Sequence, residues 1–455
     1  MRTSPVADPD SIIAGEALAA LRRHVLQPMV PRCVDREYGG FLVDFDERWR
    51  PAGPHDKTLE HAARTTIAFA LIERALPGEG CDRLARHGCE FLRDAMWDRV
   101  HGGFFAEVDR SGRPRWEGLK HPHAVTYVAQ AFMLSAEHLA PGEGRSWARR
   151  ALGWLEDVAW DPAHGGYWGS FRRNNEPYPT QARLPTPDGL DVLGFTPGFK
   201  ELNTQGDAIE MLTWLAELEL GGRCAERLAW MVDLVVNRLS DASGVLPYLY
   251  RPDWRPVPDL LRVGYVFQMI HRLGSAAATI GAGPGPLARW AQLADFCLAF
   301  ARHPDGGFSF AVSAGGRTWP ATGPSSDLRQ WWVQLEAVYA LHFLAGQPEL
   351  GRDARARYRR ARDEQWAFVR DTLLDERHGG IRQRPLGPVS GWRSRMPGRR
   401  EPAQLRSKTN GWKDPLHEVG LFLALGGGAT ADGPVRSSTA TAPPIRIELR
   451  PVASD

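Results

Sequence analysis

The stretch Asp98-Arg-Val-His101-Gly102-Gly103-Phe104 decides how this chain is read, because it recurs. Paired glycines followed by an apolar residue stand also at Gly39-Gly40-Phe41, Gly165-Gly166-Tyr167, Gly306-Gly307-Phe308 and Gly379-Gly380-Ile381, with a degenerate copy at Ser243-Gly244-Val245. The same interval of 63 residues separates Gly40 from Gly103, Gly103 from Gly166, and Gly244 from Gly307. A fixed interval found three times marks an internal repeat. Asp98, Asp161 and Asp375 each precede a histidine by three residues (His101, His164, His378), which reads as a helix end running into a glycine turn.

Each period is filled by two kinds of helix. Before Gly-Gly lies an amphipathic segment: Leu84, Phe91, Leu92, Ala95 and Met96 share one face among Arg83, Arg86, Glu90, Arg93 and Asp94. After Gly-Gly comes a short extended piece with turn residues (Glu107-Val-Asp-Arg-Ser-Gly112), then a helix such as Trp331–Leu341 that is apolar nearly all round and must be covered on most sides. An exposed outer helix and a buried inner helix, six times over, close into two concentric rings. The fold class is therefore all-α, an (α/α)6 barrel with short β-hairpins in its loops. The inner helices are placed at 57–74, 123–138, 202–219, 257–273, 327–344 and 411–424. One barrel domain spans 10–427, with a mobile tail at 1–9 and a disordered one at 428–455. The Pro-, Asn- and Gly-rich stretch between Ser170 and Asn203 is a loop long enough to cover a pocket mouth.

Composition narrows the function. Of 455 residues, 43% are hydrophobic and 24% charged, and 56 basic against 54 acidic residues leave a net charge of +2. No overall field then calls for nucleic acid or an anionic membrane. There is no run of roughly 18 apolar residues and no apolar leader after Met1, so a cytoplasmic protein is expected. Five scattered cysteines imply neither a disulfide framework nor a thiolate metal site. No phosphate loop or ligand spacing for a metal appears, and neither a cofactor nor a metal is expected.

Polar residues that interrupt the inner helices have only the barrel axis to face. The fifth copy reads Arg329-x-x-Trp332-x-Gln334-x-Glu336, the first Lys57-x-x-Glu60-x-Ala62-x-Arg64, the second Val125-x-x-Val128-x-Gln130, and the third Asn203-x-x-x-Asp207-x-x-Glu210. Counting from the glycines aligns Arg64, Phe132, Glu210, Gln268, Glu336 and Gly420. One turn earlier stand His61, Ala129, Asp207, Tyr265, Val333 and His417. Closing the ring brings His61 near His417. Polar groups converging in a deep apolar cup make the expected binding site. His24, His87, His138, His271 and His342 are read as structural.

These residues resemble the N-acylglucosamine 2-epimerase family, over about 30–425. The likeness is carried by Lys57-x6-Arg64, Asn203-x6-Glu210, Arg329-x-Trp331-Trp332-x-Gln334-x-Glu336 and Trp412-Lys413-Asp414-Pro415-Leu416-His417. It implies an (α/α)6 barrel that binds an open-chain sugar and moves the proton beside its carbonyl, with two histidines as proton carriers and no metal requirement. His417 matches one of these histidines and Arg64 the anchoring arginine. The family's Gly-His-x-x-Glu stands here as Gly264-Tyr265-Val266-Phe267-Gln268, and its Asn-x-His-x-His-x-x-Glu as Asn203-Thr-Gln205-Gly-Asp207-Ala-Ile-Glu210. The resemblance thus implies an isomerase or epimerase with a rewritten centre. His417 is its proton carrier, with His61 or Asp207 as the complement. Arg64, Lys57, Asn203, Glu210, Tyr265, Gln268, Arg329, Trp332, Glu336, Trp412 and Lys413 are expected to hold the substrate. The partner is a small molecule, a sugar, for a monomer or homodimer. The alternatives are another enzyme on the same barrel, either a hydrolase using two of Asp207, Glu210 and Glu336 or a natural-product tailoring enzyme, and a non-catalytic carbohydrate-binding relative.

Overall fold

The computed structural model describes residues 9–218, 222–239, 245–257, 261–283, 286–312, 328–386 and 403–427. Of the expected tails at 1–9 and 428–455, residues 1–8 and 428–455 lie outside these, as does the degenerate copy at Ser243-Gly244, whereas Pro9 begins a helix. Six inner helices form at Leu59–Ala75, Pro122–Leu134, Leu202–Glu217, Val263–Thr279, Trp331–Ala345 and Leu416–Leu425. Each packs against the next, and the sixth packs against the first, closing the ring. The outer helices Cys81–Phe91, Glu143–Trp154, Gly222–Leu234, Leu287–Phe300 and Gly351–Thr372 each lie on the inner helix that precedes them, whereas Pro9–Leu21 lies on the sixth. This is an (α/α)6 barrel. Among the described residues no helix is long and apolar enough to cross a membrane, and all five cysteines are free and buried.

The first, fourth, fifth and sixth inner helices begin later than periodicity alone places them, and short pairings occupy the approach of the first, third and fourth. Lys57–Thr58 pairs antiparallel with Glu107–Val108, Lys200–Glu201 with Leu249–Tyr250, and Leu261–Arg262 with Ala311–Val312. The fourth helix therefore starts at Val263 rather than 257, and the sixth follows Pro415 rather than starting at 411.

The glycine turns have a physical reason. Both glycines of each described pair have positive φ, from 64° at Gly40 to 92° at Gly306, a region that a side chain disfavours. A Cβ on Gly40 would also lie 2.6 Å from the Phe91 ring, and one on Gly103 2.5 Å from Trp154 Nε1. The second glycine is the seat for an aromatic ring.

The aspartate ahead of each turn does two jobs. Asp161 Oδ1 accepts the backbone N–H of Ala163 and His164, capping the turn, while Oδ2 accepts from Lys200 Nζ at 2.7 Å. Lys200 Nζ also donates to the carbonyls of Gly165 and Pro252. The same buried staple joins Asp35 to Lys57 at 3.0 Å, Asp98 to Lys120 at 3.1 Å and Asp375 to Lys408 at 2.6 Å. In the fifth copy Arg329 donates to Asp305 and to the Gly306 carbonyl. Lys57, Lys120, Lys200 and Arg329 each stand two residues ahead of an inner helix, so the staple ties that helix to the turn behind it, while Lys408 lies further back on the approach to the sixth. Lys57 and Arg329, expected to hold substrate, are thus committed to the scaffold.

Removing one partner of a buried pair strands the other charge, at a cost of about 3 kcal/mol or more. Asp98→Ala should lose that much in denaturant unfolding; a loss below about 1 kcal/mol would deny the staple its role.

Candidate active site

The first two turns of the inner helices, with the deeper faces of the third, fourth and fifth, carry the polar groups of the cup. Arg64, Glu210, Gln268, His271, Arg272, Glu336, Tyr339 and His417 line one cavity together with Leu416 and Gly420. The structure therefore brings Arg64, Glu210, Gln268, Glu336 and His417 together. Gln268 Oε1 is buried there without a hydrogen-bond partner.

Glu336 is the hub of one half. Its Oε1 lies 2.6 Å from His417 Nδ1 and its Oε2 2.8 Å from His271 Nε2. Burial works to raise its pKa, but the hydrogen bonds to the two imidazoles outweigh it and hold the carboxyl well below the usual range. Trp332 stacks on the His417 ring with centroids 5.6 Å apart, and Tyr339 stacks on His271 at 4.2 Å. Gly264 makes the first stack feasible: a Cβ there would lie 2.1 Å from the Trp332 ring. Tyr265 packs against Tyr248 and Trp332, and burial raises its phenol pKa.

The other half is a lattice of fixed charges. Arg64 donates through Nε to Asp414 at 2.8 Å and through a terminal nitrogen to the Tyr127 hydroxyl at 2.9 Å. Tyr127 donates in turn to Asp207 Oδ1 at 2.7 Å. Arg272 spans Asp207 at 2.7 Å and Glu210 at 2.6 Å. His123 sits between Asp207, 2.6 Å from Nδ1, and Glu60, 3.1 Å from Nε2. These two are charge contacts and not aligned hydrogen bonds. Burial favours the neutral ring of His123, but Glu60 and Asp207 prevail and lift its pKa to about 10. Asp207 is opposed by burial yet brought down to about 2 by Arg272 and His123.

Asp207, expected to carry a proton, is therefore an ionised counter-charge with its oxygens engaged. His61 does not line the cavity. It is buried, its Nε2 has no hydrogen-bond partner, and burial pushes its pKa down to about 4. Lys413 donates to the Ile381 carbonyl and lies over Trp331, and burial lowers its pKa to about 7. Asn203 is buried outside the cavity lining. Trp412 is half exposed and borders a separate hollow at the mouth, shared with Glu60, His121, His123 and loop residues 186–188 and 190–192. The loop expected over the mouth does reach it.

The fifth-helix motif divides its labour. Arg329 staples, Trp332 stacks, Glu336 orients the histidines, and Gln334 clamps Phe308 through both its N–H and its carbonyl, at 2.8 and 2.9 Å. Gln205 clamps Tyr167 in the same way, at 3.0 and 2.6 Å. Sequence reasoning missed His271, Arg272, His123 and Tyr127. His271 lies one turn beyond Gln268 on the same face, a signal that was available. Tyr127 lies one position from the Val128 the register aligned.

Comparison with known proteins bears out the family resemblance. The model of the N-acylglucosamine 2-epimerase (GlcNAc 2-epimerase) family matches residues 39–183. A cellobiose 2-epimerase of Ruminococcus albus is 22% identical over 409 residues, covering 88% of this chain and 96% of its own. Among solved structures, cellobiose 2-epimerase from Bacillus thermoamylovorans superposes with a TM-score of 0.77 at 19% identity, over 91% of this chain and 99% of its own. A D-mannose isomerase gives 0.73 at 17%, over 93% and 100%. More distantly, an unsaturated glucuronyl hydrolase from Bacillus sp. GL1 gives 0.55 at 14%, over 91% and 94%.

The opposite shifts of two histidines are directly measurable. Nitrogen-detected histidine NMR should find His61 neutral at all pH values above about 4 and His123 protonated up to about 10. The stability that the His123 charge contributes is complete below pH 6.5 and is lost as pH rises through about 10. A His123 ring that titrates near 6.5 would contradict the charge lattice.

Proposed function

We propose that this protein is a sugar isomerase of the aldose–ketose type, acting on an open-chain carbohydrate with His417 as its proton carrier. One observation carries the reading: His417 lines the cavity beside Arg64, with Nδ1 held by the ionised Glu336 and its ring face covered by Trp332. With Nδ1 engaged, Nε2 is the ring nitrogen left to meet substrate.

The chemistry follows from that geometry. His417 Nε2 takes the proton from the carbon beside the carbonyl, and Glu336 stabilises the imidazolium that forms. His271 is a positioning residue: it holds the second oxygen of Glu336 and so fixes the first against His417. Arg64, held by Asp414 and Tyr127, offers a fixed positive charge to the oxygen that gains negative charge in the enediolate. The hydroxyl proton on the neighbouring oxygen passes to the former carbonyl oxygen within the enediolate, which leaves the new carbonyl behind, and His417 returns its own proton to the adjacent carbon on the same face.

Epimerisation needs a second carrier on the opposite face. Tyr265 stands where the family places that histidine, and a phenol with a raised pKa does not take a proton at neutral pH. Asp207 and His61 do not fill the gap for the reasons given above. Proton movement between neighbouring carbons on one face is therefore favoured over inversion at a single carbon. A hydrolase would need one carboxyl kept protonated near neutrality, whereas Asp207 and Glu336 are held ionised and Glu210 is paired with Arg272.

A panel of aldoses and ketoses incubated in D2O and followed by NMR tests this. Aldose–ketose interconversion with deuterium entering at C1 or C2 is expected, reduced at least 10²–10⁴-fold in His417→Ala and less in His271→Ala. A 2-epimer formed without ketose, or turnover that survives His417→Ala, would overturn the proposal.

A further inference from the structure

Away from the His417 cavity, the mouth of the barrel gathers three buried groups that the chemistry above does not use. His121 caps the second inner helix, Asp191 comes from the long loop, and Glu201 immediately precedes the third inner helix. One imidazole nitrogen and one oxygen from each carboxylate lie within 4.8 Å of one another, and all three residues are buried. Among the described residues no lysine or arginine pairs with either carboxylate. His121 Nε2 has no hydrogen-bond partner and faces Asp191 Oδ2 at 3.7 Å. The other Asp191 oxygen is occupied by the N–H groups of Leu193 and Phe195, which orients Oδ2.

We propose that His121, Asp191 and Glu201 bind one divalent transition-metal ion of the zinc or manganese type, and that the ion clips the long loop to the barrel. Two buried carboxylates without a basic partner need positive charge. One imidazole with two carboxylates is a donor set for Zn2+ or Mn2+, whereas Mg2+ prefers oxygen donors and retained water. Zinc ligands at about 2.0–2.2 Å from the ion stand roughly 3.4 Å apart in a tetrahedron, close to the 3.7 Å between His121 Nε2 and Asp191 Oδ2. The hollow bordered by His121 and Asp191 gives the ion a path in and leaves room for water in the remaining positions. Spacing rules do not reveal the set, because its members come from three separate elements.

A proton is the competing occupant. Burial raises the pKa of Glu201, and the backbone N–H of His123 donates to His121 Nδ1 at 3.3 Å, a contact that places the imidazole proton on Nε2. Metal binding gives up that weak contact, moves the proton to Nδ1 and expels the proton on Glu201. Since the ligand atoms must be unprotonated to bind, affinity should fall as pH is lowered.

The full chain, stripped with a chelator, can be titrated with Zn2+, Mn2+ and Mg2+ by calorimetry and thermal unfolding. One Zn2+ or Mn2+ per chain is expected, with a raised Tm, slower proteolysis within 170–199 and little response to Mg2+. His121→Gln and Glu201→Gln should each weaken binding at least tenfold while keeping the helical circular dichroism spectrum. Absence of stoichiometric binding by both Zn2+ and Mn2+ would overturn the proposal, as would equal binding in Glu201→Gln. Stabilisation by Glu201→Gln in a chain that binds no metal would assign the site to a proton, and would overturn it too.

Discussion

A buried lysine held by the aspartate of a glycine turn is the contact on which the rest of this barrel depends. In three of the repeats the ammonium sits at the foot of an inner helix. One carboxylate and at least one turn carbonyl satisfy it in the three where Lys57, Lys120 and Lys200 supply it. Burying such a charge is costly unless every donor is used, so the pair forms only when turn and helix are in register. That register fixes which side chains reach the axis. A one-residue slip of an inner helix would turn its cavity residues by about 100° and dismantle the cup.

The cup has two electrostatic characters. Around Asp207, carboxylates alternate with Arg64, Arg272 and His123, and the groups are held in their charged forms by one another. Within it His123 is lifted to about 10 and Asp207 brought down to about 2, both far from neutrality. Around Glu336 there is a single carboxylate with two imidazoles, covered by aromatic rings. The proposed reaction assigns proton transfer to this second half and positioning to the first.

The fold was legible because it is written repeatedly: five glycine pairs and one degenerate copy, with three of the intervals equal at 63 residues and an apolar helix after each, leave little choice of architecture. The site was legible only in part. His417, Arg64, Gln268, Glu210 and Glu336 reach the cavity where the repeat register puts them. Lys57 and Arg329 were misread because a cation beside an inner helix looks the same in sequence whether it serves the axis or the turn. Asp207 was misread because its partners, Arg272 and Tyr127, come from other helices and are visible only once the ring closes. His271 looked structural since no motif marks it; its meaning comes from Glu336, 65 residues away.

The proposed isomerase requires the space between Arg64 and His417 to receive an open-chain sugar. A crystal structure with a linear polyol, which mimics that form and cannot react, tests it most directly. The account predicts the polyol inside the inner ring, with a carbon within about 4 Å of the His417 imidazole and an oxygen on Arg64. A polyol bound only at the mouth beside Trp412, with the His417 cavity filled by water, would contradict it.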